Sequence, residues 1–98
     1  ARQISEVLIV DSCRYIEGPV RDARIAVLDH DGVLTRNGRA VDVERSGLPA
    51  DEYVAVPVQR GPQIVGHFLV TATSHLAYPS REQRRVAVLL ADQVAAAR

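Results

Sequence analysis

Residues 52–73 read EYVAVPVQRGPQIVGHFLVTAT, and the reading of this stretch decides the fold. Its first arm sets Tyr53, Ala55 and Pro57 on one side and Val54, Val56 and Val58 on the other. Its second arm opposes Ile64, Gly66, Phe68 and Val70 to Val65, His67, Leu69 and Thr71. Period-2 alternation among β-branched residues specifies two strands. Between them Arg60-Gly61-Pro62 must reverse the chain, and Gly supplies the positive φ that a short hairpin loop needs. Pro57 has no N–H to give a ladder, which predicts an open edge or a bulge beside it.

Working outward toward the N-terminus, residues 1–9 (ARQISEVLI) place Ile4, Val7 and Leu8 on one helical face. Asp11-Ser12 breaks that helix, and CRYIE (13–17) reads as a strand ended by Gly18-Pro19. Residues 24–28 form a second strand, Asp29-His30-Asp31-Gly32 has turn chemistry, and 33–36 return. Asn37-Gly38 is a type I′ hairpin signal leading into a further arm at 39–43. Residues 44–51 read as a loop. Beyond the long hairpin, Tyr78-Pro79 stops the sheet and Ser80 opens a helix, with Gln83 completing a capping box and Glu82 in the first turn. On a helical wheel Val86, Ala87, Leu90, Ala91, Val94 and Ala97 share an arc, the expected core face. Val88, Leu89 and Ala96 fall outside it, a second apolar strip that needs its own partner.

The pattern is that of an α+β domain: an antiparallel sheet with the N- and C-terminal helices packed on one face. At 98 residues and 47% hydrophobic the chain holds one modest core. Its net charge is zero, so no long-range field draws it to nucleic acid or anionic lipid. Every basic residue is Arg, a composition typical of GC-rich bacterial genomes. The chain contains no Met and opens on Ala1, so residues 1–98 are expected to be a fragment of a longer protein. A single Cys allows no internal disulfide and fits a reducing compartment.

Chemistry-bearing motifs are few. Residues 27–35, VLDHDGVLT, resemble the first motif of haloacid-dehalogenase-type phosphatases, whose first Asp attacks phosphorus. That chemistry also needs later acidic Mg²⁺ ligands and a phosphate-binding cation, usually Lys. This chain has no Lys and no acidic pair placed late. A turn that reads DHDG is the expected outcome, and a phosphatase fragment is the remote alternative. His30, His67 and His75 lack metal-ligand spacing, so no metal is expected. Cys13 lies in an apolar strand and reads as a small core residue. Arg81, Arg84 and Arg85 are offset by Glu82 and Asp92 and read as a solvated face. No catalytic set emerges, and the chain is expected not to be an enzyme.

From Val54 onward the chain resembles the C-terminal half of a GAF domain. The resemblance is carried by VPV (56–58), Ile64-Val65-Gly66, Phe68-Leu69-Val70, and Ser80-Arg81-Glu82-Gln83 leading into LLADQVAAA (89–97). Together with CRY (13–15), VDVER (41–45) and Gly47-Leu48-Pro49, it resembles a compact, truncated GAF-like module of actinobacterial membrane proteins. Those modules follow the four-helix membrane domain of Kdp-type sensor kinases. The resemblance implies a cytoplasmic sensory or regulatory domain of a two-component system, with membrane helices upstream in a parent anchored in the cell membrane. No bilin-attaching or haem-ligating pattern is present, so no cofactor is expected.

Two functions follow. In the first, an unidentified small ligand binds on the sheet face away from the helices, where Arg14, Tyr53 and His67 are the candidate binding residues. In the second, the domain binds nothing and serves as a structural dimerisation and signal-relay unit. In either case a weak homodimer through the terminal helices is expected, with Val88, Leu89 and Ala96 at its interface.

Overall fold

The elements run α1 (Ile4–Leu8), β1 (Ser12–Glu17), β2 (Ala26–Leu28), β3 (Leu34–Arg36), β4 (Arg39–Ala40), α2 (Val43–Ser46), β5 (Val54–Arg60), β6 (Gln63–Thr71) and α3 (Arg81–Ala96). They are those of a computed structural model that describes residues 3–72 and 77–97. The hairpin forms as its alternation requires: Val54 pairs with Val70 and Val56 with Phe68, on the face that carries the core. Its loop is only Gly61-Pro62, with Gly61 at φ 61. The register slips between Val58 and Gln59, leaving Val65 as the extra residue of a bulge one step from Pro57.

The sheet has six strands in the order β1-β6-β5-β2-β3-β4. One feature departs from the wholly antiparallel sheet expected. β2 runs parallel to β5, with Ala26 beside Val54 and Val27 beside Ala55. Since β1 is antiparallel to β6 and β6 to β5, β1 and β2 point the same way with the hairpin between them. A tight turn cannot join strands so placed. Residues 18–25 therefore cross over the hairpin instead. Pairing with β2 ends at Ala55, so Pro57 has no β2 residue opposite it and interrupts no ladder there.

Both terminal helices rest on the face carrying Val54, Val56, Phe68 and Val70, and they pack against each other. Ile4, Val7 and Leu8 of α1 are buried as their spacing predicts. Ile9 closes that helix in the left-handed region at φ 58, ψ 61, a conformation that costs an L-residue about 1–2 kcal/mol. At the other end of the chain the capping box is complete. Ser80 Oγ accepts the Gln83 N–H at 3.1 Å, and Gln83 Oε1 accepts the Ser80 N–H at 2.8 Å. On the strand beneath, Tyr15 meets Phe68 edge-on with ring centroids 5.2 Å apart. Gly66 makes room for that ring, since a Cβ there would overlap the Tyr15 hydroxyl and sit 2.6 Å from the Ile16 carbonyl.

Three expectations are corrected. The stretch 44–51 is not all loop: Asp42 accepts the Arg45 N–H at 3.2 Å and caps the short helix α2, which buries Val43 and cuts the preceding arm to Arg39–Ala40. Residue 84 is not on a solvated face, for Arg84 is only 5% exposed. Third, the core face of α3 is centred on Arg84, Ala87, Val88 and Ala91, while Leu90 is half-buried and Val94 is exposed. With Arg84 inside, Val88 turns into the core, where it cannot contact a second molecule. Leu89 and Ala96 remain on the outer surface.

The helix orientation makes adjacent residues respond in opposite ways. Val88→Glu would bury an unpaired carboxylate and should cost more than about 4 kcal/mol. Leu89→Glu should change stability by no more than about 0.5 kcal/mol. Urea unfolding of the two variants checks this, and comparable losses would show that the helix is rotated otherwise.

Candidate functional site

The sheet face away from the helices carries Ala55, Pro57, His67 and Leu69, since these alternate with the core-facing residues. All four are buried. The crossover at 18–25 meets this face at His67. His67 Nδ1 lies 3.0 Å from the Gly18 carbonyl; a carbonyl can only accept, so Nδ1 carries the proton and donates. Farther along, Arg24 donates from its backbone N–H, Nε and Nη2 to Asp22 at 2.9, 3.1 and 2.8 Å, folding the segment on itself. These bonds hold the Asp22 carboxyl down at about 2.

Of the three expected ligand residues, two meet. The Arg14 guanidinium sits 5.7 Å from the centroid of the Tyr53 ring, a cation–π contact. Arg14 is paired across β1 and β6 with Leu69, which is itself paired with Ala55. His67 lies further along the same face, engaged with Gly18 and closed off from solvent. Tyr53 borders a shallow cavity of about 200 Å³ with Asp51, Glu52 and Thr71, which neither Arg14 nor His67 lines. The three residues do not converge on one cavity. A separate groove of about 310 Å³ runs between α1, β1 and α3, lined by Gln3, Ile4, Ser5, Cys13, Phe68 and Val94. Cys13 is exposed there rather than in the core, yet partial burial still pushes its thiol up, away from thiolate chemistry.

The DHDG segment forms a tight turn between β2 and β3. Asp29 Oδ1 accepts the N–H groups of Asp31 and Val33 at 2.9 and 3.0 Å, so one carboxylate oxygen holds the β2–β3 turn. That turn docks on the start of α3. Arg81 Nε donates to the Asp31 carbonyl at 2.8 Å, and Arg84 Nε donates to the Gly32 carbonyl at 2.6 Å. Arg84 Nη1 also donates to the Pro79 carbonyl at 2.9 Å and to Glu44 at 3.2 Å. Contact is so close that a Cβ at Gly32 would lie 2.8 Å from the Arg81 carbonyl. Glu44 is held below the ordinary carboxylate range, first by its own backbone N–H and then by the Arg84 charge.

Asp92 ties the same turn to the hairpin. Its Oδ1 accepts the Gln59 N–H at 2.8 Å, beside the register slip, and its Oδ2 lies 3.3 Å from His30 Nε2. In the sequence Arg84 and Asp92 read as ordinary surface charges on a helix. The one signal available for Arg84 was its position three residues before Ala87 and four before Val88, in step with the small apolar residues.

Among the described residues no cluster of His, Cys, Asp and Glu could hold a metal ion, and no helix is long and apolar enough to cross a membrane. His75 lies outside the described residues. No protein-family model, no curated protein and no solved structure matches the chain.

Two expectations follow from these contacts. Asp29→Ala removes the acceptor of two turn N–H groups and should cost about 1–2 kcal/mol, whereas Asp29→Asn keeps an amide oxygen and should cost under about 0.5 kcal/mol. Equal losses in thermal unfolding would show that charge, not the turn, matters. For Asp22 the folded carboxyl is depressed to about 2 from 3.8. Its stabilising effect is therefore present above the ordinary aspartate range and lost as pH falls through about 2. A carboxyl NMR titration of Asp22 with a midpoint at the ordinary value would contradict the crossover geometry.

Proposed function

We propose that the chain is a non-catalytic regulatory module of GAF-like type. In this reading it belongs to a larger membrane-associated signalling protein of the two-component kind, and its terminal helices transmit a conformational signal. The observation that carries the reading is the closure of one sheet face combined with the pairing of both terminal helices on the other. Ala55, Pro57 and Leu69 are buried on that face, and Gly18 of the crossover takes up the His67 hydrogen bond. The geometry therefore supports the relay function over small-ligand sensing. A displacement at α1 reaches α3 directly through their mutual packing, with the sheet as a common base.

Self-association through the outer surface of α3 is part of the proposal. Leu89 is 57% exposed, and Ala96 lies two turns further on the same strip. The partner is a second copy, with Leu89 and Ala96 retained from the expected interface and Val88 removed from it.

Two measurements test the reading. Sedimentation velocity at high concentration should detect a dimer that Leu89→Glu with Ala96→Glu dissociates without lowering the unfolding midpoint; a wild type that stays monomeric removes the dimer. Cyclic nucleotides, taken as probe ligands, should leave the midpoint unmoved. A ligand at 100-fold its Kd would add about 2.7 kcal/mol, raising the midpoint of a domain this size by roughly 10 °C or more. Such a rise would restore the ligand-sensing function in place of the relay.

A further inference from the structure

The two terminal helices share a sheet face but are held there by unequal means. α3 has sixteen residues, a reciprocal cap, and side chains bonded to the β2–β3 turn and to β5. α1 has five residues, and its N-cap Gln3 makes no side-chain cap bond. A helix that short has no stability of its own in water. At its C-terminal end stands Ile9, a β-branched residue in the left-handed region, where its Cβ crowds the following carbonyl. Burial of Ile4, Val7 and Leu8 holds α1 against α3 and the sheet.

We propose that α1 is a detachable latch. It leaves α3 and the sheet as a unit while the rest of the domain stays folded, and the strain at Ile9 lowers the free energy of opening. Release removes Gln3, Ile4 and Ser5 from the groove and uncovers Phe68, the buried part of its remaining wall, between the already exposed Cys13 and Val94. The latch rests on the construction of α1 alone and stands whether or not the domain is regulatory. If the relay reading holds, docking of α1 is the two-state element on which it acts.

Amide hydrogen exchange of the 98-residue chain, resolved by NMR at neutral pH, tests this. The Val7 N–H donates to Gln3, and those of Ile9 and Val10 donate to Ser5; these amides report on α1. They should exchange at least about 100-fold faster than those of Leu90 and Ala91 in α3, as expected of a local opening. Ile9→Asn and Ile9→Gly both suit the left-handed joint, and at least one should slow α1 exchange about 5-fold or more, with α3 unchanged. A common exchange rate for α1 and α3 would mean that they open only together, overturning the latch. So would α1 exchange that neither Ile9 variant slows. Neither result depends on dimerisation or ligand binding, so failure here is separable from failure of the relay.

Discussion

The arrangement of this domain turns on one buried guanidinium. Arg84 is enclosed where α3 begins, and a charge in that position is tolerable only if its donors are met. Nε is met by the Gly32 carbonyl, and Nη1 by the Pro79 carbonyl and Glu44. Hydrogen bonds from a charged donor to a buried carbonyl contribute about 1.5–3 kcal/mol each, and the three bonds reach the β2–β3 turn, the approach to α3 and α2 at once. Satisfying them sets the rotation of α3 about its axis. From that rotation follow the burial of Val88, the partial burial of Leu90 and the exposure of Leu89. Helix position and turn geometry are therefore parts of one hydrogen-bonded arrangement.

A second constraint is topological. Placing the long hairpin between β1 and β2, with those strands parallel, obliges residues 18–25 to cross two strands. The crossing starts at His67, on the very face where a ligand site was expected. Leu69, Pro57 and Ala55 lose their solvent, and His67 becomes a donor to the segment above it. A buried histidine so engaged acts as a fastener, whereas an open one could bind. Arg14 and Tyr53, beyond the covered area, are left to stack on each other.

The phosphatase-like spelling at 27–35 shows how the same residues serve structure. Asp29 and Gly32 are what a tight turn needs: an acceptor for nearby N–H groups, and φ 82 at a position with no room for a Cβ. One carboxylate oxygen of the first Asp accepts from its own turn. The second contributes its backbone carbonyl to Arg81.

What the sequence by itself determined is what depends on neighbours along the chain. Alternation at 52–73 specifies the hairpin, Asn37-Gly38 the reversal between β3 and β4, Ser80 with Gln83 the start of α3, and the spacing of Ile4, Val7 and Leu8 the buried side of α1. Each is a local matter of backbone dihedrals, capping or periodicity, complete within a few residues. The tertiary structure alone decided the insertion of β2 parallel to β5, the crossing of residues 18–25, and the inward turn of Arg84. Those outcomes depend on partners 40 to 52 positions away for Arg84 and 49 away for His67. An arginine on a helix reads as surface because most are. Only a distant carbonyl that would otherwise be buried without a donor reverses that preference, and no local pattern records where that carbonyl will be.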